Sequence, residues 1–275
     1  MFLIVGRKMV YSIVLSSAVL CVALYVVWSG EKLLRTNAQP VQSYEWGLHF
    51  ETPNTLPVPN LSDDVLNKYG AYFHGNTDEK VIYITFDAGY ENGNTAPILD
   101  ALKKHNAPAA FFLVGPYIES NPDLVKRMVA EGHIVGNHSY NHPDMTQKGY
   151  DDFVNQLEKT SAAFRLVTGT DMPRFYRPPE GKCTEDNLKW AQQLGYTTVL
   201  WSSAYVDWNN DNQPSHSYAF EKIEQRTFDG AIFLLHSTSK TNAEILDRQL
   251  TRWEQQGYTF APVTKLVSTY SGETV

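Results

Sequence analysis

Asp87, His138, His142, Arg177, Asp207 and His236 are of the types that activate water and protonate a leaving group. His138 and His142 stand four residues apart, a spacing that metal ligands use on one helical turn. Two neutral imidazoles hold a borderline divalent ion, Zn²⁺ ahead of Mn²⁺ or Co²⁺, and leave positions open for water and a carbonyl oxygen. An ionised carboxylate beside that water takes its proton, which suits Asp87, and Arg177 can keep the carboxylate ionised and oriented. A departing amide nitrogen must be protonated, because an amide anion is too basic to be expelled, and His236 suits that acid. Asp207 can pair with His236 and raise its pKa, so that the imidazolium persists near neutral pH. Together these residues can carry out metal-assisted amide hydrolysis.

Each also has a purely structural reading: Asp87 as a helix N-cap, the two histidines as surface residues, His236 as a hydrogen-bonded core residue, Arg177 as one half of an ion pair. Their places in the chain weigh against all of these holding at once. Asp87 follows the apolar run 81–86, and His138 and His142 follow Ile134-Val135. Arg177 follows Phe175-Tyr176, Asp207 comes soon after Trp201, and His236 follows Leu234-Leu235. The runs at 81–86, 109–114, 134–135, 174–176, 197–201 and 231–235 read as strands. Between and after them, apolar spacing predicts helices over 95–105, 122–131, 150–167, 185–194, 218–226 and 241–256. About seven βα units predict a parallel sheet covered by helices, closed as a barrel or open and doubly wound. In a βα barrel, residues just past the strand C-termini gather on one face. Five separated segments then meet at one pocket.

The stretches that carry these residues are Thr85-Phe86-Asp87-Ala88-Gly89, His138-Ser139-Tyr140-Asn141-His142, Arg177-Pro178-Pro179-Glu180-Gly181, Asp207-Trp208 and Leu234-Leu235-His236. In order and spacing they resemble the five motifs of the polysaccharide deacetylases, the NodB-homology family of carbohydrate esterases. The resemblance spans about residues 80–265 and implies a distorted (β/α) barrel that hydrolyses the acetamido group of an N-acetylated sugar. It also implies Asp87 as base, His138 and His142 as metal ligands, Arg177 as orienter of the base, and His236 as acid supported by Asp207. Trp208, Tyr140, Pro178 and Leu234 are the matching candidates for contact with the sugar. Within the family, Tyr90-Glu91-Asn92-Gly93, Gly136-Asn137 and Thr198–Ser202 are similar to the delta-lactam-biosynthetic de-N-acetylases of the spore cortex. That branch implies deacetylation of N-acetylmuramic acid in peptidoglycan glycan strands stripped of peptide, followed by closure of muramic δ-lactam. N-acetylglucosamine in peptidoglycan or chitin oligomers, an O-acetylated xylan, and an inactive glycan receptor are the competing readings.

One position departs from the family. A second Asp, the third metal ligand, usually follows the base, and this chain has Ala88 there. Either two histidines hold the ion with waters, substrate and Asp87 itself, or the ion is bound weakly. Tyr90, Tyr140, Trp201, Tyr205 and Trp208 supply flat rings suited to pyranose faces, with Trp201 expected in the core and Trp208 in the groove. Arg177 and Lys182 are the positive groups expected to meet a substrate anion.

The 275-residue chain is 43% hydrophobic and carries 23 basic against 30 acidic residues, a net charge of -7. Such an acidic surface disfavours nucleic acid, and nothing in the sequence points to a protein partner. Its two cysteines, Cys21 and Cys183, are expected to be unpaired thiols. Residues 9–28 carry no formal charge and as a helix would span roughly 30 Å, so they read as a transmembrane anchor or a signal segment. No Ala-x-Ala pattern ends the run, which favours an uncleaved anchor. The expected layout is a short cytoplasmic N-terminus at 1–8, a membrane helix at 9–28, and a linker with irregular lead-in at 29–79. A catalytic domain over 80–275 follows, on the extracytoplasmic side.

Overall fold

Residues 81–88 are buried without interruption, the mark of a parallel strand covered on both faces. They belong to a computed structural model that describes residues 42–270. The segment read as a membrane anchor, 9–28, lies outside the described residues, as does Cys21. Among the described residues no helix is long and apolar enough to cross a membrane.

In chain order the first strands are β1 (Ser43–Glu45), β2 (Leu48–His49), β3 (Val58–Pro59), β4 (Ala71–Tyr72), β5 (Val81–Ala88), β6 (Ala109–Leu113) and β7 (Ile134–Asn137). They are followed by β8 (Phe175–Tyr176), β9 (Lys182–Thr184), β10 (Thr197–Val199), β11 (Ser203–Ala204), β12 (Ile232–His236) and β13 (Thr259–Phe260). The main sheet runs β11-β12-β5-β6-β7-β8-β10-β4, with β13 beside β5. Every pair in it is parallel. One segment, 197–204, supplies both β10 next to β8 and β11 next to β12, so the sheet curls back on itself. The two architectures open at the sequence level thus resolve into a curled, incompletely closed parallel sheet.

Alternation along each strand sorts the side chains into two layers. Ile82, Ile84, Phe86 and Ala88 face outward, with Phe111, Val135 and Leu235, and pack against Leu99 and Leu102 of helix Thr95–Lys104 and Leu246 and Trp253 of helix Lys240–Gln255. Val81, Tyr83, Ala110, Phe112, Phe175, Val199 and Ile232 fill the inside of the curl. The inner layer is tight at Gly136, where an added Cβ would lie 2.7 Å from the Phe112 ring and 3.2 Å from the Phe175 carbonyl oxygen. Gly136→Ala is therefore expected to cost about 1–3 kcal/mol by overpacking. Thermal melting checks this, and an unchanged midpoint would show that the layer yields.

Helices Thr95–Lys104, Pro122–Ala130, Tyr150–Thr168, Glu185–Gln193, His216–Gln225 and Lys240–Gln255 fall where periodicity places them. Residues 43–79, expected as a linker and lead-in, instead contribute β1 to β4 to the same compact unit as the catalytic segment. β1 pairs antiparallel with β9, and Trp46 donates its indole N–H to the Trp201 carbonyl at 2.9 Å. Asn54, at φ 61, caps the end of helix His216–Gln225 through its own N–H to the Gln225 carbonyl at 2.9 Å. Cys183 is unpaired and buried, and burial pushes its thiol up to about 12, so it is an inert core residue.

Candidate active site

The inward register that carries Tyr83 on β5 continues through Thr85 to Asp87, so the carboxylate is presented inside the curl at the strand's C-terminal end. The same rule carries His236 inward from Leu234 on β12, and Asp87 and His236 are cross-strand partners. On β7, Asn137 faces out and donates to the Leu157 carbonyl of helix Tyr150–Thr168 at 2.9 Å, so the next residue, His138, turns in. On β8, Tyr176 packs outward against Phe153 and Arg177 follows it inward. Period-two geometry at four strand ends is what gathers the site. The result is a cavity of about 640 Å³ whose lining includes Asp87, His138, His142, Trp208, Leu234 and His236.

Arg177 is wholly buried and uses its guanidinium as a fork. Nη1 donates to Asp87 Oδ1 at 2.8 Å, Nη2 to Thr85 Oγ1 at 2.7 Å and to the Leu200 carbonyl at 3.2 Å, and Nε to the Val199 carbonyl at 2.9 Å. Its carbon centre lies 4.2 Å over the Phe112 ring. Burial pushes the Asp87 carboxyl up, but the Arg177 charge, the neighbouring His138 and His236 and the Arg177 hydrogen bond together outweigh it and hold the group below the usual carboxylate range. Thr85, which the sequence reading passed over, locks the fork by donating its own hydroxyl to the Phe233 carbonyl at 2.6 Å. Its position two residues before Asp87 on the inner face was the available signal.

His138 Nδ1 lies 2.9 Å from the Arg177 carbonyl oxygen, which only accepts, so that nitrogen carries the proton. Nε2 is left with its lone pair, 3.5 Å from Asp87 Oδ2. Burial drives the His138 pKa down to about 4, and the ring is neutral near pH 7. His142 reaches the same place, its ring centroid 4.9 Å from that of His138. It does so by a loop rather than the helical turn its spacing suggested. Ser139 and His142 sit at φ 65 and 55, and Ser139 Oγ accepts from the His142 N–H at 3.1 Å. Pro143 disfavours right-handed helix at His142, which is why the i, i+4 spacing closes this way.

A neutral imidazole whose Nδ1–H is held by a carbonyl, with Nε2 free, is the state a metal-ligating histidine takes. His138 and His142 together fit a divalent ion as two nitrogen donors. Among the described residues no three His, Cys, Asp or Glu side chains form a ready cage. Ala88 packs with its outward neighbours and also borders the cavity, but its methyl group contributes no ligand. Any further coordination falls to oxygen, from water, substrate or Asp87, whose Oδ2 lies 3.5 Å from His138 Nε2.

His236 Nδ1 donates to Asp207 Oδ1 at 2.7 Å, and its backbone N–H donates to Asp207 Oδ2 at 2.8 Å. Burial lowers the imidazole's proton affinity, but the adjoining Asp207 and then Asp87 more than reverse this, and the His236 pKa is raised. The site therefore holds an ionised carboxylate and a protonation-prone imidazole in one cavity, which is the pairing an acid–base hydrolase needs.

Trp208 stands at the mouth, 55% exposed, its ring 5.9 Å from that of His236. Trp201, expected in the core, both packs there and lines the cavity. Tyr140 and Pro178 are not among the lining residues. Tyr140 turns away after left-handed Ser139, donates its hydroxyl to Glu119 at 3.0 Å, and presses its ring against Gly115. Pro178 is buried behind the rim. Tyr90, one of the expected flat rings, lines the cavity, and Glu180 and Thr238 join it unforeseen. They come from connecting loops, whose path periodicity does not encode; Glu180 is held at φ 56. Arg177 is too deep to meet a substrate anion, and Lys182 is drawn to Glu180, 2.7 Å away.

Residues 74–199 match the polysaccharide deacetylase family. The peptidoglycan-N-acetylmuramic acid deacetylase PdaA of Bacillus subtilis is 41% identical over 234 residues, covering 85% of this chain and 89% of that protein. Its solved structure, a family 4 carbohydrate esterase, superposes with a TM-score of 0.81 at 40% identity, over 86% of this chain and all of the other, 100%. A peptidoglycan-N-acetylglucosamine deacetylase of Bacillus cereus is 33% identical over 260 residues, covering 88% and 93% of the two chains. A CE4 family pseudoenzyme from Bacillus anthracis has a TM-score of 0.67 at 29% identity, over 72% of this chain and 68% of that one. With relatives this similar along most of its length, and with the inward carboxylate, imidazoles and guanidinium just described, the chain belongs to the polysaccharide deacetylases, the NodB-homology group of family 4 carbohydrate esterases.

Proposed function

We propose that the protein removes the N-acetyl group from N-acetylmuramic acid in peptide-free peptidoglycan, acting outside the membrane that its N-terminal segment anchors. The observation that carries the reading is the pair of opposed shifts in one cavity: Asp87, ion-paired with Arg177, is made more acidic, and His236, hydrogen-bonded to Asp207, is made more basic. Similarity to PdaA supports the choice of sugar. Asp87 Oδ1 is engaged by Arg177, which leaves Oδ2 to take the proton of an attacking water. His236 keeps Nδ1–H on Asp207 and gives its Nε2 proton to the nitrogen as the carbon–nitrogen bond breaks. Acetate and a free amine result, and the amine can close on the sugar's own lactyl carboxylate, with loss of water, to the δ-lactam. A divalent ion held by His138 and His142, Zn²⁺ first among the candidates, would supply Lewis acidity to the acetyl carbonyl and the water.

Acetate release from amidase-trimmed peptidoglycan, compared with chitin oligomers, tests the substrate, and mass spectrometry of the product separates free amine from lactam. Preferred turnover of chitin oligomers overturns the muramic assignment. A second reading, N-acetylglucosamine, draws on the rim: Lys182 is engaged by Glu180 and Arg177 is buried, an arrangement suited to a neutral sugar. The Bacillus cereus relative acts on that sugar by name.

The pH profile follows from the same pair. Asp87 works deprotonated, so turnover is lost as pH falls through its depressed pKa; His236 works protonated, so turnover is lost as pH rises through its raised one. The plateau of kcat/KM is expected to extend above the ordinary histidine value of about 6.5. An alkaline limb below that value would remove His236 as the acid.

A further inference from the structure

We propose that Asn242, braced by Tyr205, is the positioning residue for the Asp207–His236 pair. This rests on the reading of His236 as the acid. Asp207 sits in the loop after β11, a two-residue strand, so no ladder of backbone bonds sets the plane of its carboxylate. Side-chain bonds do. Asp207 is fully buried and accepts three donors, one on Oδ1 from His236 Nδ1 and two on Oδ2. The two on Oδ2 are the His236 backbone N–H at 2.8 Å and Asn242 Nδ2 at 2.6 Å.

The Asn242 amide can face only one way. Its NH₂ meets Asp207 Oδ2 and, at 3.1 Å, the His236 carbonyl oxygen, both of which only accept. Its Oδ1 takes the hydroxyl proton of Tyr205, a buried phenol that desolvation keeps protonated and therefore a donor. Asn242 is itself fixed in the first turn of helix Lys240–Gln255, where its backbone N–H donates to the Ser239 cap at 3.2 Å. One amide thus ties the end of β12, the loop after β11 and a helix start into a single block. Its bonds hold the plane of the Asp207 carboxylate; that plane aims the His236 ring, and the ring aims Nε2 at the leaving nitrogen.

The test uses the full chain and the variants Asn242→Leu and Tyr205→Phe, each alone and combined with His236→Ala. Asn242→Leu is expected to lower kcat about 10- to 100-fold with KM nearly unchanged. Tyr205→Phe, which keeps the amide and guards against a misfolded leucine variant, is expected to lower kcat about 3- to 10-fold. In the His236→Ala background both losses should shrink to within about twofold, because nothing remains to aim. The low-field NMR resonance of the His236 Nδ1 proton, assigned by its absence in His236→Ala, should shift or exchange faster in both variants. An equal loss with and without His236, or an unmoved resonance, overturns the proposal. Full activity of His236→Ala would instead defeat the acid assignment, while the resonance would still report whether Asn242 sets the ring.

Discussion

Asp87→Asn is expected to cut acetate release by about 10³-fold, within the range a positioned general base contributes, and to leave KM nearly unchanged. An amide oxygen can still accept from Arg177 Nη1, so the fork, now 2.8 Å from Asp87 Oδ1, keeps its geometry. What disappears is the lone pair on the second oxygen that receives the proton of water. The substitution also strips a buried cation of its counter-charge, since Arg177 is wholly enclosed. A loss of up to about 3–5 kcal/mol in stability is therefore expected beside the loss of rate. Circular dichroism melts and single-turnover acetate release separate the two effects. Release equal to that of the wild type in folded Asp87→Asn would reject Asp87 as the base, whereas no release from either protein would favour the receptor reading, in which Ala88 marks a lost activity.

The strands that carry the chemistry were readable because parallel strands buried on both faces are largely apolar, as at Val81–Ala88 and Ile232–His236, where the polar exceptions Thr85, Asp87 and His236 are the site's own residues. Once those runs are placed, alternation alone says that Asp87, His138, Arg177 and His236 share the inner face. The remaining fold features are products of pairing rather than of local sequence. β4, β11 and β13 are two residues long and exist through their neighbours. Nothing in the irregular composition of 43–79 announced that Trp46 would prop Trp201 from behind. The loop residues of the site divide in the same way. Trp208 reaches the mouth beside a legible motif, whereas Tyr140, equally close to one, is turned outward by the φ 65 of Ser139. Glu180 enters the cavity rim through a left-handed backbone that no periodicity signals.

Arg177→Met is expected to be the most damaging change to the fold itself. It leaves the Asp87 carboxylate buried without its cation, and it leaves the Val199 and Leu200 carbonyls without the donors they now face at 2.9 and 3.2 Å. Removing one partner of a buried ion pair costs about 3–5 kcal/mol, which in a domain of this size lowers the melting midpoint by roughly 10 °C. The acid limb of activity should also move to higher pH, because the Arg177 charge is the largest of the influences that together offset the burial of Asp87. Arg177→Lys gives little relief: a point-like ammonium cannot serve Asp87, Thr85 and two carbonyls from one plane. The decisive comparison is Asp87→Leu with Arg177→Met. Deleting both charges removes the mutual penalty, so the double variant should melt well above the midpoint expected from adding the two single losses, yet release no acetate. Simple additivity in that cycle would mean that each side chain is held by its other neighbours, and that the ion pair is not what keeps the base ionised.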